Sequence, residues 1–214
     1  MDYHYTKRGS NVPSTPSPLR YPGGKSQLYN YVRNIIQING LIGETYIEPF
    51  AGGAGLALKL LLNNDVKRII INDFDPAIYA FWYCVLYQTE QLCNFVLNVP
   101  LTLAEWDIQH DIYVNQTEHS QIEIAQAVLF LNRTNVSGVI TGGMIGGRNQ
   151  TGEYKINARF NREKIAQKIR TIAAVSDRIK LYNLDAVDFL DTILPHYYKV
   201  FINFDPPYVG KGGQ

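Results

Sequence analysis

Long apolar runs are missing from this chain. Nowhere do about 18 apolar residues follow one another, which excludes a membrane-spanning helix. The N-terminus has no apolar core of the kind a signal peptide needs. Cysteine is scarce: Cys84 and Cys93 have no metal-ligand spacing and suit a reducing cytosol, so no metal site is expected. Charge of one sign is missing too. At a net +1 the chain is not a general polyanion binder, and any nucleic-acid surface has to be a local patch. Two nucleotide motifs fail on inspection. Gly24-Lys25-Ser26 resembles the end of a phosphate loop, but position 19, where that motif needs its first glycine, is Leu, and no strand precedes it. The dinucleotide fingerprint counted from Gly53 ends on Leu58 instead of glycine.

What is present reads as an α/β chain. Residues 1–17 are polar and rich in Pro and Ser, the composition of a disordered tail. A turn at Gly23-Gly24 precedes a helix around residues 28–36. Residues 45–48 read as a strand, Pro49 to Gly55 as a Gly-rich turn, and the run through Leu56, Leu60 and Leu61 as a helix. A second strand, 68–73, ends on Asp73, roughly 20 residues past the glycines, where Rossmann-like folds place a carboxylate on ribose hydroxyls; the plainer role is a cap on the helix starting near Pro76. From residue 89 to 175 the strand–helix alternation stops. Helical patterns cover 90–97, 103–114 and 122–131, and a Gly-rich segment follows, with two extended pieces about residues 149–152 that suggest a hairpin or long loop. Between Arg133 and Lys180 ten Lys/Arg stand against three acids, a patch suited to phosphates. A third strand runs to Asp185, a helix follows, and residues 198–202 read as a buried parallel strand leading into Asn203-Phe204-Asp205-Pro206-Pro207-Tyr208. The prolines stiffen that exit, at the strand edge where ligands of open α/β sheets bind.

Four stretches in this order resemble the Dam-like (alpha group) DNA adenine-N6 methyltransferases: Leu19-Arg20-Tyr21-Pro22-Gly23-Gly24-Lys25, Glu48-Pro49-Phe50-Ala51-Gly52-Gly53-Ala54-Gly55, Asn72-Asp73, and Asp205-Pro206-Pro207-Tyr208. The resemblance implies a Rossmann-like methyltransferase sheet, discontinuous over 18–88 and 176–214, with a helical and hairpin target-recognition insertion over 89–175. Further strands beyond the D-P-P-Y motif are expected of the family and missing here. It implies S-adenosyl-L-methionine as cofactor, held by Tyr21, Lys25, Glu48, Phe50, Gly52, Gly53, Gly55, Asp73, Asp185 and Asp205. Asp73 would take the ribose hydroxyls, Asp185 the adenine, and Phe50 would pack on that ring. Catalysis would fall to Asp205, Pro206, Pro207 and Tyr208, and DNA binding to Asn132, Arg133, Arg148, Lys155 and Arg159. Double-stranded DNA is the implied partner, in the cytoplasm of a bacterium or of a phage's host, and a restriction endonuclease stays open as a second one. Related motifs also serve RNA adenine, cytosine N4 and glutamine amines, and an inactive DNA-binding remnant remains an alternative.

Overall fold

The computed structural model describes residues 15–20 and 25–206; Tyr21, Pro207 and Tyr208, and residues 1–14 of the expected tail, lie outside them. Four parallel strands form one sheet: β1 (Thr45–Glu48), β2 (Arg68–Asn72), β3 (Ile179–Tyr182) and β4 (Val200–Ile202), in the order β3-β2-β1-β4. The chain leaves β1 toward β2 and β3, then returns to the other side of β1 for β4. The reversal falls between β1 and β4, and their carboxyl ends bound the crevice in which such sheets bind ligands.

The strands are short and nearly continuous in apolar residues because both faces are covered. Side chains alternate across them. Tyr46, Ile69 and Ile71 join the main core, and Ile47 and Ile70 point to the opposite face. That opposite face is thin, closed by Phe189 of α8 (Ala186–Thr192), whose ring meets Tyr182 edge-on at 5.7 Å. The main core is larger. It packs α1 (Tyr29–Ile38), α2 (Gly55–Leu62) and α3 (Pro76–Tyr87) with the helices of the insertion. α3 starts where Asp75 accepts from the Ala77 N–H (2.8 Å) with Pro76 at its first position, a combination that favours helix entry. Two thirds of α3 is then buried, including Phe81 and Trp82. Residues 89–175 contribute α4 (Thr89–Asn98), α5 (Leu103–Val114), α6 (Gln121–Thr134) and α7 (Arg162–Ala173). Val96, Phe130 and Ile169 lie in the same apolar cluster as Leu58 and Phe81. Insertion and sheet thus share one core. Burying each such side chain stabilises by about 1.5–3 kcal/mol.

Three expectations need correction. No hairpin forms among the described residues of the insertion. Between α6 and α7 the chain is a long loop, with a single antiparallel bridge, Asn135 to Met144. Gln150 (φ +48°) holds the loop instead, donating to Ile145 O and Gly147 O and accepting from the Ile156 N–H. Ser17, expected to lie in the tail, is buried, and its carbonyl accepts from Lys168 Nζ (3.0 Å). β4 is half-buried rather than buried, since it is an edge strand among the described residues, and Tyr198 before it is 96% exposed. Cys84 and Cys93 are free thiols inside the core, and burial pushes the Cys84 thiol up to about 12. No helix of the described residues is long and apolar enough to cross a membrane.

Candidate active site

The site is assembled from strand ends. Parallel register sets Glu48 beside Ile71 and Ile47 beside Ile202, so the exits of β1, β2 and β4 reach one edge together. Asn72, completely buried at the end of β2, ties the exits of β1 and β3 to its own. Its amide donates to Pro49 O after β1 and to Leu184 O after β3 (3.0 Å each), and its oxygen accepts from the Leu184 N–H (2.9 Å). Sequence reading took Asn72 only as the neighbour of an acid; its full burial is what reveals the brace.

After β1 the chain offers Ala51-Gly52-Gly53-Ala54-Gly55, five residues with no side chain beyond a methyl. Gly52 and Ala54 both take left-handed backbone angles (φ +45°), which wind the turn tightly into α2. Gly55 has a second reason to lack a side chain, because a Cβ there would lie 2.6 Å from Ser26 Oγ. Asp73 is bound to this turn. One oxygen accepts from the Gly52 N–H (2.7 Å) and the other from the Asp75 N–H (3.0 Å), while the Trp82 indole closes on Gly52 O (2.8 Å). Burial raises the Asp73 carboxyl above its ordinary value, and these two amides hold it down in part. Phe50 is half-buried at the head of the turn, and Phe74, which the sequence did not single out, is 69% exposed next to Asp73. Asp185 caps α8, accepting from the Val187 N–H (2.8 Å), and remains exposed at the exit of β3.

Glu48 closes the bottom of the crevice. It is buried and accepts from Tyr46 Oη (2.9 Å) and from the Ala57 N–H in the first turn of α2. Burial first, and the nearby Asp205 charge more weakly, push its carboxyl up to about 7 against those two bonds. Asp205 follows β4, half-buried, with Lys25 Nζ at 3.2 Å from its Oδ1. Lys25 opens the short 3-10 turn that packs on α2. The N-terminal motif and the D-P-P-Y motif, 180 positions apart in sequence, thus meet at the crevice.

The residues expected to touch DNA fare differently. Asn132 and Arg133 are turned inward, against the expectation of exposed contacts. Asn132 is buried and bonds to the Arg20 backbone, and Arg133 donates through Nη2 to Pro18 O with its Nε buried and unpartnered. The apolar side of α6 faces the core, and these two residues lie at its buried end; burial draws the Arg133 guanidinium down to about 10. Arg148 is exposed but forms a two-bond pair with Asp107 (2.8 and 2.6 Å). Lys155 donates to Gln150 O, and Arg159 is exposed over the Tyr154 ring. Much of the basic patch counted along the sequence is spent inside the fold: Arg162 bonds to Val96 O and Val99 O, Arg170 to Glu90, and Arg178 to Lys67 O and Val66 O. Among the described residues no three His, Cys, Asp or Glu converge as metal ligands.

Residues 21–213 match the family described as D12 class N6 adenine-specific DNA methyltransferase. The chain is also similar to the Type II methyltransferase M.MjaIII of Methanocaldococcus jannaschii, at 24% identity over 205 residues, covering 89% of this chain and 68% of that protein. With a Gly-rich turn, an acid after β2 and an aspartate beyond β4 near one switch point, and with a match that spans most of its length, the chain belongs to the D12 class of N6 adenine-specific DNA methyltransferases.

Proposed function

We propose that S-adenosylmethionine binds over the Ala51–Gly55 turn and that Asp205, with the Pro206 carbonyl, aligns the adenine amine for methylation. The observation that carries this is the Lys25–Asp205 pair at 3.2 Å, which joins the N-terminal motif to the strand-end aspartate beside the small-residue turn. The residues suit such a ligand: five positions of bare backbone and methyls, and a carboxylate pre-set at Asp73. When bound, the cofactor supplies an electrophilic methyl group on a sulfonium sulfur.

The chain's own residues do the rest. Gly52 to Gly55 admit the ligand close to the main chain, and Asp73, whose oxygens each keep an unused lone pair, accepts from ribose hydroxyls. Phe50 and Phe74 would pack against the cofactor's adenine, and Asp185 would meet its edge. The acceptor amine is a weak nucleophile because its lone pair is delocalised into the purine. Asp205 and the Pro206 carbonyl accept its two N–H groups and turn the nitrogen toward tetrahedral geometry. Positioning supplies most of the acceleration in such a displacement, and the proton can leave after transfer, so Asp205 need not be a strong base. The amine is out of reach inside a duplex, so the base has to leave the stack; Tyr208 is our candidate to stack on it.

Incubation with tritiated S-adenosylmethionine and unmethylated DNA, followed by digestion to nucleosides, is expected to place label in N6-methyladenine. Label in N4-methylcytosine, or in RNA and not DNA, would overturn the substrate reading. The name of the archaeal relative, a type II methyltransferase, supports a modification role beside a restriction endonuclease.

On the DNA side we favour Arg159 over Arg148. Arg159 is exposed on a Tyr154 platform, whereas Arg148 would have to leave Asp107 first. Arg159→Ala is expected to weaken duplex binding several-fold and to reduce the slope of log affinity against log salt by about one. An unchanged slope would remove Arg159 from the phosphate contacts.

A further inference from the structure

The side chain of Asn132 does something its sequence neighbourhood did not suggest. Its Oδ1 accepts from the Arg20 N–H (2.7 Å), and its Nδ2 donates back to Arg20 O (2.8 Å) and also to Gly138 O (2.8 Å). It therefore pairs with the Arg20 backbone as one strand pairs with another. Three further bonds make residues 17–20 a strap across the insertion: Arg133 to Pro18 O, Lys168 Nζ to Ser17 O (3.0 Å), and Arg20 Nη1 to Asn135 O (3.2 Å). The fit is close. Gly138 takes φ +79°, and a Cβ there would sit 2.3 Å from Arg20 O. Asn135 organises the turn on the other side of the contact, donating to Val139 O, Ile140 O and Gly142 O and accepting from the Trp106 indole (2.7 Å). Val136 and Val139 of that turn are exposed.

Lys25 is the residue beside Asp205. Arg20 and Lys25 belong to one motif, so the insertion holds that motif at one end and the strand-end aspartate meets it at the other.

We propose that Asn132 is a positioning residue for the methyl-donor site: by clasping the Arg20 backbone it ties the insertion to the N-terminal motif, and it makes no contact with DNA. This rests on the donor reading above. Asn132 is chosen over Arg133 because each of its three bonds goes to a named backbone atom of the strap or of the turn facing it.

The test is titration of S-adenosylmethionine and of duplex DNA into wild type, Asn132→Asp, Asn132→Ala and Val128→Ala. Asp keeps the acceptor toward Arg20 N–H and loses both donors. Val128 is buried in the same helix and makes none of these bonds, so its truncation serves as a destabilised control. Expected are donor Kd values raised about tenfold in both Asn132 variants, DNA Kd unchanged within twofold, and both constants near wild type in Val128→Ala. Weakened DNA binding with donor affinity intact would overturn the proposal, and so would an equal donor loss in Val128→Ala. If neither Asn132 variant folds, hydrogen exchange of the wild-type Arg20 amide decides: protection is expected, and exchange at the unstructured rate overturns the clasp. A wild-type chain that binds no donor overturns the donor reading, and is told apart because the Arg20 amide would still be protected.

Discussion

Asp205→Ala is expected to lower methyl transfer to DNA on the order of 10³-fold. Loss of a single preorganised hydrogen-bonding group at a reacting centre typically costs about 10²–10³ in rate. Here the group lost would be the acceptor that orients the nucleophile, and its ion pair with Lys25 goes with it. Donor affinity is expected to fall as well, since Lys25 and Asp205 sit together at the edge of the crevice, while duplex binding through the insertion stays. Single-turnover transfer with both substrates saturating separates these effects: the rate drop must survive saturation. A variant that turns over normally would mean that Asp205 is only a stiff strand exit and that chemistry occurs elsewhere.

Glu48→Gln is expected to stabilise the protein above neutral pH. The folded-state carboxyl titrates at about 7 against an ordinary 4.5, so the folded chain holds a proton that the unfolded chain has given up. Stability from this group is complete below pH 4.5, falls as pH rises from there to 7, and is flat above. The gap of roughly 2.5 units corresponds to about 3 kcal/mol at pH 8. Glutamine keeps an oxygen for Tyr46 Oη and the Ala57 N–H and has no charge to bury. Denaturant unfolding of both chains at pH 5, 6, 7 and 8 gives a difference curve. It should widen between pH 5 and 7 and then level. Parallel curves would show that Glu48 is not held in its protonated form by the fold.

The elements of the fold were legible because their signals are local. Apolar periodicity located the four strands of the described residues and most of their helices, and the bounds expected for α5 are those observed. The order of four short motifs carried the family. Orientation was not legible. Asn132 has donors and an acceptor that suit an adenine edge or a peptide unit equally well, and only burial says which it meets. A count of basic residues likewise cannot distinguish Arg159, which is exposed, from Arg162, which satisfies the carbonyls at the end of α4. The Gly-rich segment before α7 has glycines enough for a hairpin but no alternation to pair, and a single glutamine, Gln150, took over the bonding that a ladder would have supplied. The brace at Asn72 was hidden for the same reason: an amide at a strand end looks like surface until three loops close over it.

That brace has a consequence for how such a chain can change over time. Because Asn72 bonds to the exits of both neighbouring strands, the crevice floor behaves as one part, and a substitution in any of the three loops is felt by the other two. The turn after α6 hangs on a separate asparagine, Asn135, with its own set of carbonyls. Loosening that turn leaves the three bonds of Asn72 untouched, so drift there reaches the rest of the chain through the Arg20 contact and not through the crevice floor.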